Sequence, residues 1–124
     1  MKMVHTCVRV KNLEESLAFY QEAFGFKEVS RKDYPEHKFT LVYLSLENDP
    51  YQLELTYNYD HEGYDLGDGY GHIAIEVDDV PEAHERHRAA GFEVTELKGL
   101  PNSDFRYYFV MDPDGYKIEV VQGR

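Results

Sequence analysis

Two hydrophobic periods alternate along the chain and predict strands and helices in a repeated order. Apolar and polar residues alternate over 3–10, which is the period-two pattern of a strand with one buried face. A helical pattern follows, with Asn12 placed as its N-cap, Glu15 three residues on, and Gly25 placed to end it. The apolar stripe predicted for this helix consists of Leu13, Leu17, Tyr20 and Phe24. Strands are predicted next at 26–32, 39–46 and 51–57. The first half therefore has the order β-α-β-β-β.

A loop-like segment, 58–69, separates this half from a second copy of the same order. The second copy starts with a strand at 70–77, and a helix follows that is capped by Asp79 and ended by Gly91. The buried side predicted for this helix consists of Val80, Ala83, His87 and Ala90. The remaining strands are predicted at 92–97, 105–111 and 116–121, with a tight turn at 112–115. We therefore predict a single domain, 1–124, made of two βαβββ repeats at about 1–57 and 70–124 and a linker at 58–69.

Length and charge limit the kinds of function that such a domain can have. At 124 residues the chain is long enough for one domain-sized core, and its 11 Tyr and 7 Phe favour a packed globular protein. The net charge of −11 argues against nucleic acid and anionic membranes as partners, because both attract basic surfaces. A single cysteine, Cys7, fits a reducing compartment, and the sequence has neither a signal-like leader nor an apolar run of membrane length. We expect a soluble cytoplasmic protein.

Two histidines and two glutamates occupy matching positions in the repeats. His72 lies 67 residues after His5, and Glu54 and Glu119 follow the two histidines after 49 and 47 residues. All four alternate with apolar neighbours, so they point to the face opposite the one expected to pack on the helices. If the first and last strands of each half are neighbours, each His and Glu lie about 5 Å apart at Cβ, which one metal ion can bridge. A carboxylate flanked by Leu, Ile and Val is costly to bury unpaired, so a shared cation is favoured over four ordinary strand residues.

Other polar residues carry weaker signals. His84 and His87 are three residues apart on the second helix, which does not match the zinc-protease spacing, and we expect surface or half-buried side chains. Cys7 shares the face of His5 and is interpreted as a small lining residue rather than a ligand. Arg9 lies on the same face, so its charge is expected to point toward the candidate site. The alternative for Arg9 is an ion pair with a nearby Asp or Glu.

Several segments of the chain, in order, match one known family. They are 5–10, 17–20, 53–58, 70–74 and 112–119, and together they extend over nearly the whole sequence. The most specific of them are Tyr70-Gly71-His72 and the Asp-Pro-Asp-Gly-Tyr-Lys-Ile-Glu run at 112–119. On these segments the chain resembles the glyoxalase I (lactoylglutathione lyase) family of the vicinal oxygen chelate superfamily.

The resemblance implies an α+β fold in which tandem βαβββ modules form curved mixed sheets around a cleft. It also implies a homodimer with shared active sites, each taking His5 and Glu54 from one chain and His72 and Glu119 from the other. One divalent metal ion would be bound per site, six-coordinate with two waters. Short members of the family usually prefer Ni or Co, which suit octahedral sites with N and O ligands, whereas longer members prefer Zn.

By the same resemblance, the substrate is the hemithioacetal that methylglyoxal forms with glutathione, the thiol cosubstrate. Glu119 matches the general base that removes the proton from C1, and Glu54 is a ligand and a partner in the second proton transfer. A cis-enediolate held by the metal then takes up a proton at C2 and gives S-lactoylglutathione. Arg9 and Asn58 match the family's contacts to the glutathione carboxylate.

Two departures from the family pattern leave alternatives open. The loop at 101–104 lacks the Lys or Arg that members often have there, which leaves Lys98 and Arg106 as substitutes, and Asp68 stands where some members have Arg. A different thiol cosubstrate is therefore an alternative to glutathione. The superfamily also includes metal-dependent epimerases such as methylmalonyl-CoA epimerase, extradiol dioxygenases, thiol transferases and metal-free drug-binding resistance proteins. The set of four ligands favours the isomerase, because the dioxygenase and transferase sites need two His and one carboxylate.

Overall fold

The computed structural model of the protein describes residues 1–123 and divides the chain into two compact units. The first unit is Met1–Asp65 and the second begins at Leu66, so the boundary falls inside the segment predicted as a linker. Each unit has one four-stranded mixed sheet and one helix. The predicted α+β class with tandem βαβββ modules is therefore confirmed. Within residues 1–123, no helix is both long and apolar enough to cross a membrane.

The first unit has its first and last strands side by side. Its elements are β1 (His5–Val10), α1 (Leu13–Phe24), β2 (Lys27–Tyr34), β3 (Phe39–Ser45) and β4 (Gln52–Asn58). The strand order in the sheet is β1-β4-β3-β2, with β1 parallel to β4 and the other neighbours antiparallel. Buried and half-buried residues alternate along β3, whereas β2 is exposed at seven of its eight residues. Buried core residues of the sheet are Val8, Val10, Val42, Leu44, Leu53 and Leu55.

The second unit repeats this topology, but its last edge strand has two residues where that of the first unit has eight. Its elements are β5 (Ile73–Val77), α2 (Val80–Ala89), β6 (Lys98–Gly99), β7 (Arg106–Met111) and β8 (Lys117–Gln122). The strand order is β5-β8-β7-β6, again with a parallel pair formed by the first and last strands. Helix α2 packs on β7 and β8. Buried residues of these strands are Tyr108, Val110, Ile118, Val120 and Val121.

Both helices begin at the predicted N-caps and α1 ends at the predicted Gly25, whereas α2 ends at Ala89 with Ala90 as its C-cap, one residue before the predicted Gly91. The Asn12 side chain accepts a hydrogen bond from the Glu15 amide at 3.0 Å, and the Asp79 side chain accepts one from the Glu82 amide at the same distance. Helix α1 ends at Gly25, whose φ of +81° is a left-handed conformation that glycine adopts without strain. The two N-caps therefore use the same side-chain chemistry at matching positions of the repeat.

The buried faces of the helices differ in part from the predicted stripes. In α1, Leu13 and Tyr20 are buried as predicted, but Leu17 and Phe24 are half-buried. The buried positions also include Ser16, Phe19 and Ala23. The face is therefore centred on small and aromatic residues that a search for aliphatic residues overlooks. In α2, Val80, Ala83 and His87 are buried as predicted, whereas Ala90 is exposed because the helix ends at Ala89.

The residue ranges predicted for two strands of the second unit are wrong. The strand predicted at 70–77 begins only at Ile73. The strand predicted at 92–97 is reduced to an isolated bridge between Val94 and Val110, and only Lys98–Gly99 forms a strand nearby. A side chain interrupts the ladder here, because the Thr95 hydroxyl, and not a backbone carbonyl, accepts the Phe109 amide at 2.9 Å.

The turn at 112–115 is confirmed and is fixed by a buried carboxylate. Asp112 accepts hydrogen bonds from the amides of Asp114 and Tyr116, both at 2.9 Å. Gly115 has a φ of +90°, and its amide donates to the Asp112 carbonyl at 3.0 Å. This turn sets the start of β8 and therefore the position of Glu119 on that strand.

We expect Asn12→Ala to lower the free energy of unfolding by about 1 kcal/mol, because the Glu15 amide loses its side-chain acceptor. Urea denaturation monitored by circular dichroism measures the effect. Asn12→Asp keeps an acceptor oxygen and serves as the control, with little change expected. An equal loss in both variants would show that the cap does not carry the effect.

Candidate metal centre

In the first unit, the parallel pairing of β1 with β4 brings His5 next to Glu54. His5 Nε2 lies 3.3 Å from Glu54 Oε1. The register places Cys7 directly opposite Glu54 and His5 opposite Gln52, so the imidazole reaches the carboxylate diagonally, from two residues away. This differs from the direct cross-strand pair that the strand pattern alone suggests. The histidine side chain is 38% exposed and the glutamate side chain 11%, so the carboxylate lies deeper than the imidazole.

The second unit contains the same pair. His72 Nε2 lies 3.3 Å from Glu119 Oε1, with side-chain exposures of 42% and 18%. Ala74 is directly opposite Glu119, so His72 is again two residues from the opposed position. Here the histidine lies just before β5 rather than inside it, because the strand begins at Ile73. The repeat has therefore conserved the diagonal geometry of the pair within this one chain.

An aromatic ring accompanies each pair at the matching position of the neighbouring strand. Tyr43 is opposite Glu54 in the β3–β4 register, and Phe109 is opposite Glu119 in the β7–β8 register. The Tyr43 ring meets the His5 ring edge-on at 5.5 Å between centroids, and the Phe109 ring meets the His72 ring in the same way at 5.3 Å. The rings limit the orientations of both imidazoles.

Hydrogen bonds hold the Glu54 carboxylate on both oxygens. The Tyr43 hydroxyl donates to Oε1 at 2.8 Å, and the Thr56 hydroxyl donates to Oε2 at 2.6 Å. Because the single hydroxyl hydrogen of Thr56 is used on Glu54, the Cys7 thiol is the donor in the 3.3 Å contact between Cys7 Sγ and Thr56 Oγ1. These neighbours form a short chain of hydrogen bonds that ends on the carboxylate.

The hydrogen bonds outweigh the effect of burial on the protonation of Glu54. Burial by itself would raise the pKa of this carboxyl, but Thr56, Cys7 and Tyr43 stabilise the ionised form, and the pKa of Glu54 is lowered. The hydrogen bond to Glu54, with burial as a second cause, raises the pKa of Tyr43 to about 12. Burial raises the pKa of the Cys7 thiol. At neutral pH, Glu54 is therefore a carboxylate that accepts from neutral donors.

The donor set fits a divalent ion, although each unit supplies only two ligands. An imidazole nitrogen and a carboxylate oxygen 3.3 Å apart suit Ni, Co or Zn, which bind both atom types. Among residues 1–123, no group of three or more His, Cys, Asp and Glu side chains converges as a metal site. The structure thus brings His5 to Glu54 and His72 to Glu119, and the combined set of four stays a prediction.

Arg9 and Asn58, the predicted substrate contacts, lie at the ends of β1 and β4. Arg9 is exposed, one step along the outward face of β1 from Cys7. The Asn58 side-chain amide donates to the Tyr64 hydroxyl at 3.0 Å, and the Tyr64 ring stacks on His61 at 4.2 Å. Tyr64, in the segment after β4, therefore orients the side chain of Asn58.

Arg106 and the two helix histidines have structural partners, whereas Lys98 is exposed. The Arg106 guanidinium donates to the carbonyls of Ser103 and Phe105. His84 contacts the Thr95 carbonyl through Nε2 at 2.9 Å and is half-buried as expected. The expectation of a surface or half-buried side chain is wrong for His87, which is 1% exposed and whose Nδ1 lies 2.6 Å from the Tyr108 hydroxyl in the core of the second unit. Lys98 is exposed at the start of β6.

Sequence reasoning missed Tyr43 and Thr56 as partners of Glu54. The signal for Thr56 was present, because it lies two residues after Glu54 and so shares its face. Tyr43 carried no such signal, because its role depends on the register of β3 against β4, which the pattern of either strand alone leaves open.

In the metal-free protein we expect the pKa of Glu54 to lie below that of an ordinary glutamate. A depressed folded-state pKa contributes stability above the unfolded value and loses it as pH falls through the folded value. Thr56→Val should raise the Glu54 pKa and move the loss of stability to higher pH. Carboxyl ¹³C NMR titration and unfolding at several pH values measure both effects, and an unchanged pKa in Thr56→Val would contradict the assignment.

Comparisons with known proteins place the chain in one family. The model of the Glyoxalase/Bleomycin resistance protein/Dioxygenase superfamily matches residues 2–120. A lactoylglutathione lyase from Neisseria meningitidis is 52% identical over 125 residues, covering 98% of this chain and 91% of that protein. A lactoylglutathione lyase from Salmonella typhimurium is 41% identical, covering 100% of this chain and 94% of that protein.

Solved structures agree with the sequence relatives. Glyoxalase I from Zea mays superimposes with a TM-score of 0.89 at 37% identity over 98% of this chain, which spans 44% of the maize chain. The trypanothione-dependent glyoxalase I from Leishmania major superimposes with a TM-score of 0.83 at 41% identity, covering 98% of this chain and 86% of that one. The chain belongs to the Glyoxalase/Bleomycin resistance protein/Dioxygenase superfamily.

Proposed function

We propose that the protein is a metal-dependent lactoylglutathione lyase, that is, a glyoxalase I. It isomerises the hemithioacetal of methylglyoxal and glutathione to S-lactoylglutathione. The observation that carries the proposal is the pair of equivalent His–Glu contacts, each 3.3 Å long, at matching registers of the two units. Relatives named lactoylglutathione lyase, 52% and 41% identical over almost the whole chain, support it.

In this proposal one divalent ion is held by His5, Glu54, His72 and Glu119. One pair comes from each of two protomers in a homodimer, so that every site is shared between chains. These four residues would supply two nitrogen and two oxygen ligands, a donor set that favours Ni or Co, with Zn as the alternative. When bound, the ion supplies electrostatic stabilisation of the negative charge that develops on substrate oxygens.

Glu119 is the proposed base, and the reaction is an internal redox change. Its carboxylate removes the proton from C1, the carbon that carries sulfur and hydroxyl, and the proton is returned at C2. C1 becomes the thioester carbonyl, C2 changes from a ketone to an alcohol carbon, and the hydroxyl proton moves from the first oxygen to the second. No outside oxidant or reductant is needed. A positioned carboxylate contributes a factor on the order of 10²–10⁴ to such a transfer.

Arg9 and Asn58 are the proposed contacts of the thiol cosubstrate. Arg9 supplies a permanent positive charge at the end of β1, and Asn58 is oriented by its bond to Tyr64. In a chain with a net charge of −11, an anionic thiol needs such local cations. The Leishmania major relative is described as trypanothione-dependent, so glutathione and larger thiols are compared in the test below. A cytoplasmic location fits a cosubstrate that must remain reduced and a chain with one cysteine.

The direct test combines metal analysis with an assay of thioester formation. Purified protein should contain or take up one divalent ion per site, and methylglyoxal with glutathione should give an ultraviolet-absorbing thioester. Removal of the ion by a chelator should abolish turnover, and Ni or Co should restore it. Protein that binds no metal and forms no thioester would refute the proposal in favour of a drug-binding member of the superfamily.

We expect Glu119→Gln to lower kcat by at least 10²-fold, because the amide cannot accept the proton. Glu76→Gln is the matched control, since Glu76 is an exposed residue of the neighbouring strand β5, and its activity should equal that of the parent. Size-exclusion chromatography and circular dichroism confirm that both variants are folded. Substantial turnover in Glu119→Gln would exclude this residue as the base.

We expect Arg9→Met to raise KM for the hemithioacetal by roughly tenfold with little change in kcat, because the lost contact is to a remote carboxylate. Lys11→Met removes a nearby exposed charge and is the control. The rates are compared with glutathione and with trypanothione. A loss confined to kcat would contradict a binding role for Arg9.

A further inference from the structure

The two units contain the same His–Glu pair in different chemical surroundings. Registers identify which positions correspond, because Tyr43 and Phe109 are each opposite the glutamate on one side, and Cys7 and Ala74 are each opposite it on the other. The repeat thus provides an internal comparison in which backbone topology is constant. The side chains at these positions are the differences that bear directly on the two carboxylates.

Around Glu54, Tyr43, Cys7 and Thr56 each carry a polar atom. Tyr43 donates to one carboxylate oxygen at 2.8 Å and Thr56 to the other at 2.6 Å. The Thr56 hydroxyl in turn accepts a hydrogen bond from the Cys7 thiol, with 3.3 Å between Sγ and Oγ1. With His5 Nε2 at 3.3 Å, both oxygens of Glu54 have partners before any ligand binds.

At the three matching positions around Glu119 the side chains are apolar, although the Lys117 ammonium, two residues before Glu119, lies 5.9 Å from the centroid of the Phe109 ring. Phe109 replaces Tyr43, Ala74 replaces Cys7, and Val121 stands two residues after Glu119, as Thr56 does after Glu54. Each replacement deletes a polar group and keeps most of the volume, since Val has the shape of Thr and Phe that of Tyr. The edge-on ring contact with the histidine is kept, at 5.3 Å in place of 5.5 Å.

The two carboxylates therefore have neighbours of similar shape but differ in how freely they can rotate. Glu54 can rotate only by breaking two charge-assisted hydrogen bonds, which are among the stronger contacts that a carboxylate makes. Rotation of Glu119 disturbs its contact with His72 and meets apolar neighbours in the registers above. A base that takes a proton from one carbon and delivers it to another benefits from freedom to rotate, whereas a group whose main task is to hold an ion benefits from a fixed position.

We propose that Tyr43 and Thr56 are positioning residues that fix Glu54 as the stationary carboxylate of the site, whereas Phe109 and Val121 leave Glu119 free to move. This inference rests on the proposed function, which assigns both glutamates to one metal site. It explains how a duplicated pair performs two different tasks. It also assigns a role to four residues that do not themselves bind the metal.

The first experiment removes the hydroxyl groups around Glu54. Tyr43→Phe and Thr56→Val each create the residue found at the matching position of the second unit. Co(II) affinity, measured on metal-free protein in competition with a chromogenic chelator, should fall by roughly 10–100-fold, which is typical when a partner of a ligand is lost. The visible absorption bands of bound Co(II) should change in the same variants. Thr56→Ser keeps the hydroxyl and should restore the parent affinity.

The control removes a similar hydrogen bond elsewhere in the first unit. Tyr59→Phe deletes a hydroxyl that lies 2.7 Å from Thr40 Oγ1, and Thr40 is buried on the core side of β3. This variant should have a stability loss comparable to that of Tyr43→Phe, with unchanged Co(II) affinity and spectrum. Equal effects of Tyr59→Phe and Tyr43→Phe on Co(II) would show a general structural cause and would overturn the inference.

The reciprocal experiment adds donors around Glu119. Phe109→Tyr and Val121→Thr should lower kcat by at least tenfold, because the base acquires the bonds that hold Glu54 still. Co(II) affinity and KM should stay within about twofold of the parent. Unchanged kcat in both variants, with the parent affinity, would overturn the part of the inference that concerns Glu119.

The Co(II) readout separates failure of this inference from failure of the proposed function. Parent protein that binds Co(II) but forms no thioester refutes the lyase, while the affinities of Tyr43→Phe and Thr56→Val still decide whether these residues position Glu54. Parent affinity in those two variants overturns the inference even if the protein is an active lyase. Parent protein that does not bind Co(II) overturns both.

Discussion

The parallel hydrogen bonding of the first and last strands of each unit is the interaction on which the candidate site depends. β1 pairs with β4, and β5 pairs with β8, although a helix and two strands separate the partners in sequence. This pairing closes each unit, because it places the two ends of the βαβββ segment side by side. It also brings together a histidine and a glutamate that are 49 or 47 residues apart along the chain. Without the pairing, neither contact of 3.3 Å would exist.

The side-chain period of a strand makes this arrangement sensitive to register. A shift of β4 by one residue would turn Glu54 into the core and expose Leu53 and Leu55, which are 5% and 0% exposed. Burial of the leucines therefore fixes the orientation of the carboxylate. The same argument applies to Glu119 between Ile118 and Val120, which are both fully buried. The hydrophobic core of each unit thus determines where the face that bears its His–Glu pair points.

Local patterns predicted the elements that are specified locally. Caps at Asn12 and Asp79 and the turn at Asp112 follow from side chains that satisfy nearby amides, so their sequence signals are short and specific. The faces of His5 and Glu54 followed from alternation alone. In contrast, the prediction of a strand at 92–97 is wrong, because the Thr95 hydroxyl accepts the Phe109 amide in place of a backbone carbonyl. The β-propensity of the residues does not indicate such a side-chain hydrogen bond.

What the sequence could not predict is the pairing between strands. The diagonal position of His5 relative to Glu54 and the contact of Tyr43 with that carboxylate both depend on registers that are set by the whole sheet. The pattern along one strand shows on which face each residue lies, but not which residue of the neighbouring strand is opposite it. The two His–Glu pairs could therefore be predicted, because the repeat marked them twice. Thr56 could have been found from its spacing to Glu54, whereas the role of Tyr43 could not, because it depends on the register of β3 against β4.

That difference has a physical origin in burial. The Glu54 side chain is 11% exposed and that of Glu119 is 18% exposed, so Glu54 has lost more contact with water. A buried carboxylate is tolerated only when donors replace its hydration, and Tyr43 and Thr56 supply them. The donors that offset desolvation also restrict rotation, because their bonds require one position of the carboxylate. In this duplicated fold, Tyr43 and Thr56 supply donors to one carboxylate, whereas the matching Phe109 and Val121 have no polar side-chain atom to offer the other.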